Sequence, residues 1–429
     1  MKRLADVPHN DYPLSEVPHS ERRGFWSLTL ILVGFTFFTA TMWAGGSLGV
    51  AFDFQALLLV LVAGNLLLGA YAAALGYMAA RSGLNTVLMA RYAFGEKGSR
   101  LADGILGFTQ VGWYAWGTAT IAILLVRILG LPEMLTIPLM ILFGFGFCVT
   151  AIVGYRGLEL LSRFAVPAML LLIAVSLTLG VVEVGGIDGL LAMSPSETLS
   201  VGAAITMVIG TFVSGGTQAT NWTRFAISGR QAVLATLVAF FIGNGLMVFT
   251  GALGALVYQE ADVVDVMLAQ GLAALAVVML FLNIWTTQDN TIYNFAVAGC
   301  NLLRTEKRGL VTLVGAGIGT ALAIFGMHDM LVPFLVLLGT FIPPLGGVLM
   351  ADFFVLHRRR YTPLADAALP DYLWSGLAAY GVGAAAAYFS PFLAPVVGVA
   401  VAALAHVVLG RYARRQAEGR PATAERGEG

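Results

Sequence analysis

The sequence predicts an all-α polytopic membrane protein with twelve spanning helices, and three observations carry that prediction. The chain of 429 residues is 58% hydrophobic and only 11% charged, with a mean hydropathy of +0.84. A soluble fold of this size carries about 25% charge. Its apolar runs reach the roughly 20 residues that a helix needs to cross a bilayer, and they lack the two-residue alternation of membrane β-strands. The 51 glycines suit this class, because glycine is commoner in membrane helices than in soluble ones. The balance of 24 basic and 24 acidic residues excludes a strongly basic nucleic-acid binder. Cys148 and Cys300 both lie in apolar runs and form no disulfide framework.

The first six spans run from Phe25 to Gly45, Gln55 to Ala80, Leu101 to Gly130, Met134 to Val153, Phe164 to Val182 and Thr198 to Phe225. The second six run from Arg230 to Tyr258, Gly271 to Leu303, Leu310 to Gly326, Met330 to Leu356, Leu373 to Phe389 and Pro395 to Tyr412. With the N-terminus inside, only Arg127 of the 24 Lys and Arg falls on the outer side, as the positive-inside rule requires of an even span count. Both termini are therefore expected in the cytoplasm. Residues 1–24 and 413–429 are polar tails, 25–356 hold ten spans, and 357–412 hold the last two. The opening segment lacks the basic start, short apolar stretch and cleavage site of a signal peptide, which fits insertion in a plasma membrane.

Polar side chains at membrane depth are costly and mark sites by default. In span 6, Gly215 and Gly216 follow Thr211, Phe212 and Ser214 and favour a helix break whose freed backbone needs a polar partner. The same small residues also permit close helix packing. In span 1, Gly34 is the expected hinge, and a break there would turn the negative end of a half-helix dipole toward a cation. In span 3, Gln110 and Trp113 share a face. Trp113 lies about 18 Å into its span, too deep for an interfacial anchor, so the pair suits a flat polar ring. In span 8, Asn283, Thr286, Thr287 and Asn290 recur at spacings of three and four, with Gln288 and Asp289 between them. That face gathers oxygens suited to a hard cation such as sodium, or to a water-mediated network between helices. Phe37 and Gly215, Gln110 and Asn283, and Pro167 and Pro343 are each separated by roughly 175 positions, the trace expected of a five-plus-five inverted repeat.

Enzyme chemistry is not indicated. No Walker loop or HExxH is present, and the five histidines are scattered: His9 and His19 in the tail, His328 outside, His357 inside and His406 alone on span 12.

These clusters resemble the nucleobase–cation symport-1 family, most closely its bacterial cytosine permease branch. The likeness runs from about Val17 to Tyr361. It rests on the run Val17 to Gly24, on Thr109 to Trp113, Gly210 to Phe225 and Leu282 to Asn290, and on Ile342 to Asp352. The resemblance implies a LeuT-like core of five plus five helices with two peripheral helices, and sodium-coupled uptake across the bacterial inner membrane. It implies that Trp113 and Phe212 sandwich the base, with Gln110, Thr211, Ser214, Gly215 and Asn283 lining the same pocket. It further implies a sodium site built from the carbonyls of Gly34 and Phe37 together with Asn283, Thr286 and Thr287. Thr211 stands where the cytosine branch has Ser, and Gly215 where it has Ala, so each alters the pocket by about a methyl. Cytosine is the first expected substrate; uracil, a hydroxymethylpyrimidine or a hydantoin are the alternatives, as is proton coupling through Asp289. No cofactor beyond the coupling ion, no nucleic acid and a monomer in the bilayer are expected.

Overall fold

The computed structural model describes residues 11–418. Helix α1 is two pieces, Phe25–Thr36 and Thr39–Gly49, bent by 57°. The bend falls at Phe37 (φ −77°, ψ 87°) and Phe38 (φ −131°, ψ 129°), whose backbone leaves the helical region. The hinge is therefore three residues beyond Gly34, where the sequence placed it. Gly34 serves packing instead: a Cβ there would stand 2.6 Å from Ser162 Oγ of the helix Tyr155–Glu183.

The chain continues through α2 (Phe54–Ser82), α3 (Arg100–Leu129), α4 (Glu133–Val153), α5 (Tyr155–Glu183) and α6 (Val201–Thr223). The second half holds α7 (Gly229–Tyr258), α8 (Ala273–Leu303) and α9 (Arg308–Ile324). Helix α10 comprises Leu331–Phe341 and Pro343–Ala351, parted at Ile342, and ends in a π-helical turn over Asp352–Leu356. Helices α11 (Trp374–Tyr388) and α12 (Ala394–Glu418) follow. Among the described residues, eight helices are long and apolar enough to cross a membrane alone, or up to ten if each bent pair counts as one. Helix α5 starts nine residues before the apolar run does, because its first turns carry charge, including the i,i+4 pair of Glu159 and Arg163. Pro167 sits inside α5 without dividing it.

The diglycine of α6 does not break it. The helix runs unbroken through Gly215 and Gly216 to Gln218, and only a tight turn at Ala219 separates it from Thr220–Thr223. Gly216 lets α6 lie against α2, since a Cβ there would meet that of Ala72 at 3.2 Å. No freed amides of α6 are offered to a ligand at the diglycine.

The packing has the symmetry of an inverted repeat. The second piece of α1 packs on α7, and α6 packs on α2; the first piece of α1 packs on α5, and α6 on the first piece of α10. Helices α3 and α8 pack on each other, α9 meets α3, and the end of α4 meets α8. Exchanging α1–α5 with α6–α10 maps each contact onto another in this set. Helices α11 and α12 pack on each other and on the second piece of α10, outside the repeat.

Candidate functional site

The break in α1 sets Phe35 and Phe38 beside the faces of α3, α6 and α8 where the costly polar residues lie. A small cavity forms there. Gln110 and Trp113 reach it from α3; Thr211, Phe212, Ser214 and Gly215 from α6. Every substrate-side residue expected from the sequence lines it except Asn283. Phe35, Phe38, Thr287 and Thr291 complete the wall, and sequence reasoning had not assigned them to it. The available signal was the place of Phe35 and Phe38 beside the expected hinge at Gly34 and of Thr287 in the span 8 cluster; Thr291 lies one residue beyond that cluster.

The rings are mutually braced. Phe38 stands edge-on to Trp113 (5.4 Å, 81°) and to Phe212 (6.3 Å, 82°), while Phe35 meets Phe212 at 5.0 Å and 90°. Such edge-to-face pairs contribute about 0.5–1.5 kcal/mol each beyond area burial. The Trp113 indole N–H donates to Ser214 Oγ at 3.2 Å, which fixes the plane of its ring. Thr211 donates to the Val208 carbonyl at 2.7 Å and accepts from Asn244 Nδ2 at 3.2 Å, and Asn244 also donates to Asn65. In this conformation the aromatics close on about 10 Å³, room for roughly one water. A heterocycle enters only when the rings part.

Gln110 differs from its neighbours. It is 1% exposed, and neither Oε1 nor Nε2 has a hydrogen-bond partner among the described residues. Buried polar atoms are almost always paired, so an amide with both ends unmet in a cavity wall calls for an explanation. A ligand edge carrying one donor and one acceptor would satisfy it.

The residues expected around a cation come together only in part. Thr287 Oγ1 lies 3.0 Å from the Phe37 carbonyl and 3.3 Å from that of Phe35, donating to both. Thr286 turns its hydroxyl to the Leu282 and Asn283 carbonyls within α8. Asn283 Oδ1 accepts from Thr39 Oγ1 at 2.7 Å, tying α8 to the second piece of α1. Gly34 faces α5, where the buried Ser162 hydroxyl has no partner among the described residues. Asp289 lies away from the cavity wall, accepting from Thr150 and Asn290.

Two charged clusters escaped the sequence. His406 is not alone: its Nε2 meets Asp352 Oδ1 at 3.1 Å, while His357 and Tyr361 meet Oδ2. Arg224, fully buried, donates to the carbonyls of Asp11 and Tyr12. Asp11 in turn accepts from the Tyr155 amide and lies 3.6 Å from Arg308. The N-terminal segment thereby ties α5, α6 and α9 together at one end of the bundle.

Comparison with known proteins agrees with this architecture. The family described as permease for cytosine/purines, uracil, thiamine, allantoin matches residues 16–413. The chain is 40% identical over 400 residues to the cytosine permease of Escherichia coli (strain K12), covering 93% of this chain and 94% of that one. It is 26% identical over 365 residues to the hydantoin permease of Microbacterium maritypicum, covering 77% and 74%. The solved structure of Mhp1, a nucleobase–cation-symport-1 family transporter in a closed conformation with bromovinylhydantoin bound, superposes with a TM-score of 0.84 at 21% identity. That match covers 98% of this chain and 97% of the other. The chain is a membrane transporter rather than an enzyme, and it belongs to the nucleobase–cation symport-1 family.

Proposed function

We propose that the protein takes up a neutral nucleobase, cytosine first, across the plasma membrane by alternating access coupled to sodium, with both termini cytoplasmic. The observation that carries this reading is the Gln110 amide, buried and unpaired in the wall of the cavity that Trp113 and Phe212 also line. A planar base stacked between Trp113 and Phe212 gains roughly 1–3 kcal/mol per aromatic, whatever its substituents. Stacking alone does not select. Selection falls to hydrogen bonds, because a buried group left unpaired costs about 1–3 kcal/mol. The Gln110 amide offers one acceptor and two donors, which complements the amidine-like edge of cytosine. The 40% identity to a cytosine permease supports that choice over a hydantoin.

The cation berth rests on the break in α1. Its first piece ends with carbonyls that no following amide takes up, and Thr287 faces two of them. A sodium ion there would draw on the Phe35 and Phe37 carbonyls and on the oxygen of Thr287, whose hydroxyl proton would turn away. The remaining ligands expected, at Gly34, Asn283 and Thr286, would be reached by rearrangement of α1 against α8. Sodium is favoured over a proton because Asp289 is engaged away from the cavity.

Uptake of labelled cytosine into proteoliposomes, with inward sodium or potassium gradients and with uracil, hydroxymethylpyrimidine and hydantoin as competitors, tests the reading. Cytosine accumulation that requires sodium is expected. Equal uptake in potassium refutes sodium coupling, and stronger competition by hydantoin than by unlabelled cytosine refutes the base.

A further inference from the structure

A second cavity, of about 350 Å³, opens at the end of the bundle that carries the N-terminal segment. Arg81 and Ser82 at the end of α2, Arg359, Arg360 and Tyr361 after α10, and Glu16 form its wall. It is separate from the cavity between Trp113 and Phe212 and shares no residue with it.

Its charge is unbalanced. Three arginines and one glutamate line it, and Glu16 Oε1 already accepts from the Leu364 amide. Among the described residues none of Arg81, Arg359 and Arg360 pairs with a carboxylate, although Arg91, Arg127, Arg163, Arg304 and Arg308 all do. Arginines at a membrane surface satisfy the positive-inside rule without any cavity. Here three of them line one, and the loop that carries two is held by its own backbone hydrogen bonds.

Arg358 and Arg359 take φ of 49° and 65°, a left-handed backbone that side chains other than glycine rarely adopt. The turn is held by Arg359 N–H donating to the Phe353 carbonyl at 2.7 Å and Arg360 N–H donating to that of His357 at 3.0 Å. The Arg359 guanidinium lies over the Phe354 ring at 5.8 Å. Behind it, Tyr361 donates to Asp352 at 2.9 Å and stacks on Tyr92 at 4.2 Å, and Tyr92 donates to the Thr362 carbonyl at 2.6 Å. A rigid wall with several planar donor forks and excess positive charge suits a group with several anionic oxygens.

We propose that this cavity binds a phosphate group, carried either by an anionic lipid of the adjoining leaflet or by a soluble phosphate compound. The site clamps α2 to the loop after α10, so its occupancy raises the thermal stability of the chain.

The test uses the purified full-length chain in an uncharged detergent at constant ionic strength. Melting is followed during titration with inorganic phosphate and, separately, with phosphatidylglycerol or phosphatidylcholine in mixed micelles. A saturable rise is expected with at least one phosphate-bearing anion and not with phosphatidylcholine or chloride. Arg359→Gln, Arg360→Gln and Arg81→Gln each raise the half-saturating concentration at least tenfold; Arg156→Gln, an exposed arginine at the same end but outside the cavity, leaves it unchanged. A rise with phosphatidylglycerol alone assigns the site to a lipid headgroup, and a rise with inorganic phosphate alone to a soluble compound; either supports the site. Absence of a saturable rise with both, or an equal shift in Arg156→Gln, overturns it. Melting of each variant without ligand at the wild-type temperature confirms that these surface changes leave the fold intact.

Discussion

Replacing Gln110 with Leu separates a ligand-reading amide from a structural one, because the two roles predict opposite signs. In the free protein, Gln110 is 1% exposed with Oε1 and Nε2 both unmet among the described residues. A buried polar group without a partner costs about 1–3 kcal/mol. Leucine has similar bulk and no polar atoms, so Gln110→Leu removes that cost. The free protein is expected to gain about 1–3 kcal/mol, seen as a melting temperature a few degrees higher. The bound state moves the other way. A base that made one donor and one acceptor contact to the amide would keep its own two groups buried and unpaired. At about 2–6 kcal/mol for the pair, affinity falls roughly 30- to 20,000-fold. Differential scanning fluorimetry without ligand and equilibrium binding of labelled cytosine read the two effects on one preparation. Lower melting temperature with unchanged affinity would show the amide to be a strut, and the reading of the cavity would fail with it.

Three further changes probe other parts of the same machinery. In Gly215→Ala the new Cβ would stand 2.6 Å from Phe212 Cδ1 and 2.8 Å from Phe35 Cε1, so the rings must shift into the cavity. Competition assays are expected to show larger heterocycles losing more affinity than cytosine, and a uniform loss would contradict this. Thr287→Ala removes the hydroxyl that faces the Phe35 and Phe37 carbonyls. It should raise the half-saturating sodium concentration for uptake more than Thr286→Ala does, and the reverse order would displace the cation berth. Arg224→Met deletes two charge-assisted hydrogen bonds to the Asp11 and Tyr12 carbonyls, each contributing about 1.5–3 kcal/mol. Faster proteolysis before Gly24 and a lower melting temperature should follow, whereas unchanged proteolysis would show that the segment is held by other contacts.

What the sequence made legible follows from what a bilayer enforces. Hydrocarbon demands long apolar helices and penalises every polar side chain at depth, so the spans and the residues Gln110, Trp113, Thr287 and Asp289 stood out. Breaks were harder to place. Gly34 and the pair Gly215–Gly216 looked like hinges because glycine weakens a helix, yet all three occupy positions where a Cβ would crowd a neighbour: Ser162, the Phe212 ring and Ala72 respectively. The observed hinge uses two phenylalanines, Phe37 and Phe38, whose extended backbone is compensated by Thr287 from a helix some 250 residues away. Contacts of that range leave no local pattern. The same holds for Arg224 with Asp11, and for His406 with Asp352. His406 looked solitary on span 12 until the fold joined it to Asp352.

If ion and base bind as proposed, the hinge of α1 also accounts for how they would act on one another. Phe35 and Phe38 present their rings to the cavity, while the carbonyls of Phe35 and Phe37 face Thr287. Thr287 itself lines the cavity. On the proposed reading, one short stretch would therefore supply a wall of the base site on its side-chain face and the oxygens of the cation berth on its backbone. A cation that draws those carbonyls toward α8 must also move the two rings that brace Phe212 and Trp113. The aromatics leave room for about one water at present, so parting them has a free-energy cost, and whichever ligand arrives first meets part of it for the second. Linkage makes that assistance reciprocal: the factor by which sodium tightens base binding equals the factor by which the base tightens sodium binding. Coupling then rests on a hinge whose two faces cannot move independently, with Phe35 and Thr287 belonging to both.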